Sequence, residues 1–447
     1  MIPGIQRFWT GPAGQAPPSI ARAQGLHIWD RTGKRYIDVT SGPIAVNIGH
    51  GNPRVLAAMR EQAEKFCFAY PSHFESERST ELSQRLAELA GPGLDCAFYV
   101  SSGSEAVEKC LQFARRATMA RGESARYKII SRDPSYHGST RATMALSADP
   151  GYAPYLMGYP PALHVPAPSG YRPPAGLNAA VYAMQCAEAL RARIIEAGAE
   201  TVLAFIMEPV MGFCGGADSA PPEYYRRVRE ICDEFGVLLI YDEIVSGAGR
   251  TGTFLAAGRW PAARPDLVIL AKGLGGGYAP LAAFLAPTRL VDAVAGAGGF
   301  HVGHTHKAHP LACAVALAVL DVTIRDQLVE KAAATGQYLR AQLRRLQVDS
   351  PIIGDVRGLG MLNAVEIVAD RDSKRMLSRE LDVIGRVQAL AREQGLLIYG
   401  RRTHAGRYGD WIMVAPPLIA THADIDEIVD GLGRCLGRYQ QELASAI

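Results

Sequence analysis

The chain has 447 residues, 48% of them hydrophobic, which is enough to bury a large core in two or three domains. Its 47 basic and 44 acidic residues are scattered along the sequence and leave a formal net charge of +3. Charge therefore offers no footprint for nucleic acid or an anionic membrane, and small molecules are the expected partners.

The first 60 or so residues are rich in Gly and Pro, with a strand pair expected in GLHIWDRTGKRYIDVT around the turn at Thr32 and Gly33. Residues 1–74 read as an arm and part of a small domain. They lack a basic stretch followed by an apolar one, and no uninterrupted apolar run in the chain reaches about 18 residues, so a cytoplasmic protein is expected. Residues 75–324 read as a large domain. Helical stretches such as ESERSTELSQRLAELA alternate there with short apolar runs: CAFYV, YKIIS, VLAFIM, VLLIYD, LVILA and LAAFLA. Runs that are apolar on both faces predict an α/β fold with a mostly parallel central sheet between helices. Residues 150–174 hold eight prolines and four tyrosines, which predicts a long ordered loop without a helix, near a ligand or a subunit contact. Residues 325–447 read as a smaller α+β domain ending in a helix from about residue 422. The eight cysteines include no C-x-x-C pair. That argues against a disulfide framework and against a zinc site, and is consistent with buried thiols in a reducing compartment.

In α/β sheets ligands gather at the carboxyl ends of the strands, so the residues just after each apolar run are the candidates for chemistry. After CAFYV comes SSGSEAVE, in which Gly103 and Ser104 open a helix. Free N–H groups there suit a phosphate, and a plain Ser N-cap with Glu three residues on is the competing reading. After YKIIS, the loop SYHG carries Tyr136 and His137; Tyr136 could stack on a flat ring or simply pack. After VLLI, Asp242 and Glu243 end a buried strand before a glycine-rich turn, where a carboxylate could pair with a protonated ring nitrogen or serve as a cap. After LVILA, Lys272 is either solvated at a strand end or a desolvated amine whose lowered basicity suits a Schiff base. It is not a phosphate-loop lysine, since Gly273 follows where Ser or Thr would be required. Together, a phosphate cradle, an aromatic, a carboxylate and an amine on successive strand ends are the parts needed to hold pyridoxal 5'-phosphate.

The sequence resembles the class III aminotransferases, pyridoxal-phosphate enzymes of fold type I. The resemblance rests on AVNIGHGNP, SSGSEAVE, SYHG, FIMEPVMG, YDEIVSGAGRTG, ILAKGLGGGYAPLAA, GHTHKAHPLACA, VRGLGMLNAVEI and MVAPPL, which span nearly the whole chain. It implies Lys272 as the Schiff-base lysine and proton shuttle, and Asp242 as the partner of the pyridine nitrogen. Gly103 and Ser104 would hold the phosphate, and Tyr136 and Ile244 would lie on the two ring faces. Glu208 would be an acid near the cofactor, and Thr305 would reach the phosphate of a neighbouring subunit. A homodimer with a shared site follows, with pairing into tetramers left open.

Two departures bear on the substrate. Relatives that use glutamate commonly read E-P-x-Q-G-E and D-E-x-Q, whereas Phe213 and Val245 stand at the last position of each motif here. Phe213 cannot hold an arginine by charge pairing, so the resemblance points to the ω-amino acid and amine branch with pyruvate as acceptor. The alternatives are a 2-oxoglutarate-dependent aminotransferase, a decarboxylase, a racemase or an aminomutase. A carboxylate-binding arginine could be Arg401, Arg402 or Arg407. GHTHKAHP departs from the usual aromatic-Ser-Gly run and sets His306 and Lys307 beside the expected phosphate contact.

Overall fold

The computed structural model describes residues 17–445. Strands β1 (Ile20–Gln24), β2 (His27–Asp30) and β3 (Arg35–Asp38) form an antiparallel ribbon, with the pair around Thr32 and Gly33 as expected. The central sheet comprises β4 (Cys96–Val100), β5 (Lys128–Asp133), β6 (Leu163–Pro166), β7 (Val202–Met207), β8 (Leu238–Asp242), β9 (Leu267–Leu270) and β10 (Ala282–Ala286). Its order is β4-β10-β9-β8-β7-β5-β6, and only β10 runs against its neighbours.

The apolar runs form strands because both faces of this sheet are covered. On β8, Leu239 and Tyr241 join one core while Leu238 and Ile240 join the other, the alternation of a period-two strand. Each such side chain contributes about 1.5–3 kcal/mol on burial.

The C-terminal part adds β11 (Ile353–Leu359), β12 (Leu362–Ile367), β13 (Leu396–Leu397), β14 (Tyr399–Arg402) and β15 (Asp410–Val414), followed by the helix His422–Ser445. The antiparallel sheet β11-β12-β15-β14 lies between two cores. Leu362, Ala364, Trp411 and Met413 continue the core of the large sheet, whereas Val365, Ile367, Ile412 and Val414 face a second core shared with Ile37, Val39 and Val55 from the N-terminal segment. β13 leaves this sheet and pairs in parallel with β3, tying the N-terminal ribbon to the C-terminal part.

One expectation is corrected. Residues 150–174 are not a helix-free loop, because Pro150–Tyr155 forms a 3₁₀ turn and Leu163–Pro166 is the edge strand β6. Both motifs tolerate proline: a 3₁₀ start does not use the missing N–H, and an edge strand can leave it facing outward.

Candidate active site

The carboxyl ends of β4, β5, β7, β8 and β9 open on one cavity of about 1030 Å³. Gly103, Ser104, Tyr136, Glu208, Asp242, Ile244 and Lys272 all line it, so seven of the eight residues expected from the sequence converge there. The eighth, Thr305, is exposed and does not line this chain's cavity.

The helix Gly103–Ala120 begins at the cavity wall, with Ser102 as its N-cap accepting from the N–H of Glu105 at 3.3 Å. The capping reading of SSGSEAVE is seen directly, and it leaves the first-turn N–H groups facing the cavity wall. Ser102 and Glu105 cap the helix, while the first-turn N–H groups of Gly103 and Ser104 have no carbonyl to meet within it. A Cβ on Gly103 would come within 2.9 Å of Ile244 Cδ1, so the missing side chain at 103 is what lets Ile244 reach the cavity. Gly138, at φ +135°, similarly leaves space for Ser104 and Thr143, and the Ser104 hydroxyl accepts from Ser139 N at 3.0 Å.

Asp242 is 3% exposed. One carboxylate oxygen accepts from the N–H of Ile244 at 3.1 Å, and the other lies 2.8 Å from His137 Nδ1. The sequence singled out His137 without giving it a part; its place one residue after Tyr136 was the available signal. Glu208 is buried, accepts from Tyr136 N and Gly212 N at 2.9 Å each, and is held above the usual carboxylate range by burial.

Lys272 sits at φ +46°, in the left-handed region, directly after β9. Strain of this kind clusters at functional positions. Its Nζ is 3.8 Å from the centroid of the Phe213 ring. Burial pushes its ammonium down to about 7, opposed by the charges of Asp242 and Glu208, so a substantial share is free amine near neutrality.

The structure separates the three candidate arginines. Arg401 lines the cavity beside Tyr399 and Tyr152, with Asp149 at 3.6 Å. Arg402, the next residue along β14, points to the opposite side and pairs with Asp410 at 2.9 Å. Arg407 has a side chain 67% exposed, against Asp133. His306 is exposed and Lys307 lies over the Phe98 ring at 4.6 Å, so neither lines this chain's cavity.

A desolvated amine, a buried histidine-oriented carboxylate, a helix N-terminus and two flanking apolar groups fit pyridoxal phosphate in size and in donor set. Such a site at the strand ends of a mostly parallel sheet is that of a fold type I pyridoxal-phosphate enzyme. The sequence profile of the family Aminotransferase class-III matches residues 11–436, and the chain belongs to that family, whose members depend on pyridoxal phosphate. Diaminobutyrate–2-oxoglutarate transaminase of Halomonas elongata is 34% identical, over 96% of this chain and 92% of its own. Putrescine–pyruvate aminotransferase of Pseudomonas aeruginosa is 31% identical, over 93% and 90%. The ω-transaminase of Pseudomonas jessenii, solved in complex with PMP, superposes with a TM-score of 0.89 at 33% identity, over 96% and 94% of the two chains.

Proposed function

We propose that this transaminase moves an amino group from an amine or ω-amino acid to a keto acid, with pyruvate as the acceptor, in a ping-pong cycle. The observation that carries the reading is the cationic inventory of the cavity. On this chain Lys272 and Arg401 are the only basic lysine or arginine side chains lining it, among the described residues. With Lys272 committed to chemistry, one arginine remains, which suits one carboxylate. Phe213 stands where an acid could hold an arginine aside, and the walls it forms with Tyr136, Tyr399 and Val245 are apolar, matching an amine without a second charge. That one relative is named for 2-oxoglutarate and another for pyruvate makes the acceptor the distinction to test.

Pyridoxal phosphate, when bound, supplies the electron sink that lets the substrate's Cα proton leave. In this reading Lys272 Nζ takes and returns that proton. Asp242, oriented by His137, holds the pyridine nitrogen protonated, and Glu208 fixes the loop beneath Tyr136. Gly103 and Ser104 receive the phosphate, and Tyr136 and Ile244 hold the ring between them. Arg401 receives the acceptor's carboxylate, exchanging it for the loose Asp149 pair. Thr305 completes the phosphate site of a partner in a homodimer. The protein works in the cytoplasm, with 75–324 as the cofactor domain and 1–74 joined to 325–447 as the small one.

The test is an end-point assay of purified enzyme with a panel of amines and ω-amino acids, each offered pyruvate or 2-oxoglutarate. Alanine should accumulate with pyruvate, and Lys272→Ala should make none. Glutamate formation without alanine would overturn the acceptor assignment, and a fully active Lys272→Ala enzyme would overturn the role of Lys272.

A further inference from the structure

Between β7 and the next helix the chain forms a strap, residues 209–218, closed at its base where Met211 N donates to Asp218 O at 2.8 Å. Phe213 in this strap covers Lys272 and meets Tyr136 and Tyr399 edge-on, at centroid distances of 5.6 and 5.2 Å. Three of the strap's residues are glycines, Gly212, Gly215 and Gly216, which lose the most freedom on ordering and give the strap little stiffness of its own. Gly212 N donates to Glu208 at 2.9 Å and Cys214 Sγ to Ser135 O at 3.0 Å on the near side, and the far end of the strap is held by the antiparallel sheet across the site. Arg357 on β11 donates from Nε to Gly215 O at 3.1 Å and Gly216 O at 2.9 Å, and from Nη2 to Gly215 O at 3.0 Å. Its Nη1 bonds Asp355 at 2.9 Å and Glu366 at 2.7 Å, and Arg172 Nε holds the other Glu366 oxygen at 2.6 Å. Gly216, at φ +57°, lies so close that a Cβ would stand 2.7 Å from the Trp411 ring and 3.0 Å from Arg357 Nη2.

We infer that Arg357 is a positioning residue for amino transfer, which acts through the carbonyls of Gly215 and Gly216 to hold Phe213 over Lys272 and keep water from its Nζ. The inference rests on the reading of Lys272 as the proton-moving base. A planar fork with several fixed donors can grip two adjacent carbonyls while staying neutralised by two carboxylates, which a lysine cannot reproduce. Releasing the strap admits water to Nζ and removes the burial that keeps a substantial share of the amine unprotonated near neutrality. The competing account is that Arg357 only staples two parts of the molecule together. That role lowers stability without altering the ionisation of Lys272.

The experiment compares Arg357→Met, Arg357→Lys, Phe213→Leu and the Arg357→Met/Phe213→Leu double variant. For each holoenzyme, kcat and KM are followed against pH and Tm is recorded. For each cofactor-free protein, the pH dependence of the rate of pyridoxal phosphate uptake is measured as well. The acid limb of kcat reports the essential base in the substrate complex, where the Lys272 amine is free to take the proton. Its midpoint should move up by about one pH unit, a tenfold change in proton affinity, in either single variant. The uptake profile should move the same way. Arg357→Lys should not restore the midpoint, and the double variant should shift no further than a single one, because both changes act on one contact. If Arg357→Met lowers Tm but leaves both midpoints where the wild type has them, while Phe213→Leu moves them, Arg357 is structural and the inference falls. If no variant moves them although Lys272→Ala is inactive, the functional reading stands and the inference alone is lost. Should Arg357→Met fail to fold, Glu366→Gln, which strips a partner from the same guanidinium, carries the same expectation.

Discussion

Asp242 and His137 act as one unit. With Asp242 almost fully buried and 2.8 Å from the ring nitrogen, the histidine fixes the carboxylate plane and partly offsets the cost of burying its charge. His137→Phe keeps the ring volume and removes the bond. It should leave the fold intact and lower kcat by about 10–100-fold, the usual cost of losing the group that orients a key ligand, as steady-state kinetics would show; an unchanged kcat would assign the pair to stability alone. Lys272 gives a sharper prediction. Its ammonium is pushed down to about 7 by burial, so between about 7 and the ordinary lysine range the unfolded chain holds a proton that the folded one has released. Stability of the cofactor-free protein should then rise with pH across that window, and the penalty should be fully present below it. Lys272→Met removes the buried charge. Denaturant unfolding should find this variant more stable than the wild type at pH 6 to 7 and the pH slope gone, which is the stability cost expected of an active-site group.

At the scale of single elements, the turns decide what the strands present. Gly138 lies at φ +135°, and a side chain there would run into Ser104 and stand 2.8 Å from Thr143 Oγ1. Gly138→Ala combines a strained backbone with a displaced Ser104 hydroxyl, so on the proposed reading it should weaken pyridoxal phosphate binding by about 1–3 kcal/mol while the protein still folds; equilibrium dialysis against the free cofactor measures this. These elements also explain what the sequence could and could not tell. Buried parallel strands are continuous apolar runs, and their ends are therefore visible, which is why Gly103, Tyr136, Asp242 and Lys272 could be placed before any coordinates. Contacts made across large sequence separations have no local signature. Nothing near Arg357 signals that its guanidinium grips Gly215 and Gly216. The run Leu396 to Arg402 is nearly continuous in sequence but splits between β13 and β14, which pair in different sheets. The choice among Arg401, Arg402 and Arg407 needed the phase of β14, since alternate residues face opposite sides and a one-residue shift would have chosen Arg402. β6 was hidden because Pro166 within it and the prolines on either side resemble those of a loop.

At the scale of the whole molecule, the exposed surface of one chain carries Phe66, Phe68, Tyr70 and Phe74, the last 71% exposed, and Phe68 lies against His306, the residue after Thr305. Four aromatic side chains left in water within nine positions are costly for a monomer and mark a contact surface. Thr305 stands away from its own cavity, so if it serves catalysis it must serve another chain's. Two outcomes follow. Phe68→Asp/Phe74→Asp should shift the protein to monomer in sedimentation velocity, and its activity and cofactor should be lost together. Subunit mixing then tests the sharing itself. Lys272→Ala removes the amine from a chain's own cavity, and Thr305→Val removes the hydroxyl it lends, so each variant assembled with itself has two defective sites. In a mixed dimer, the site carrying Lys272 from the Thr305→Val chain receives Thr305 from the Lys272→Ala chain and is whole again. Random exchange of equal amounts makes half of the dimers mixed, each with one intact site of two, so about a quarter of wild-type sites should return on the two-fold arrangement. A mixture no more active than the average of its two components would place Thr305 outside the partner's site and leave the aromatic surface as a contact without a catalytic purpose.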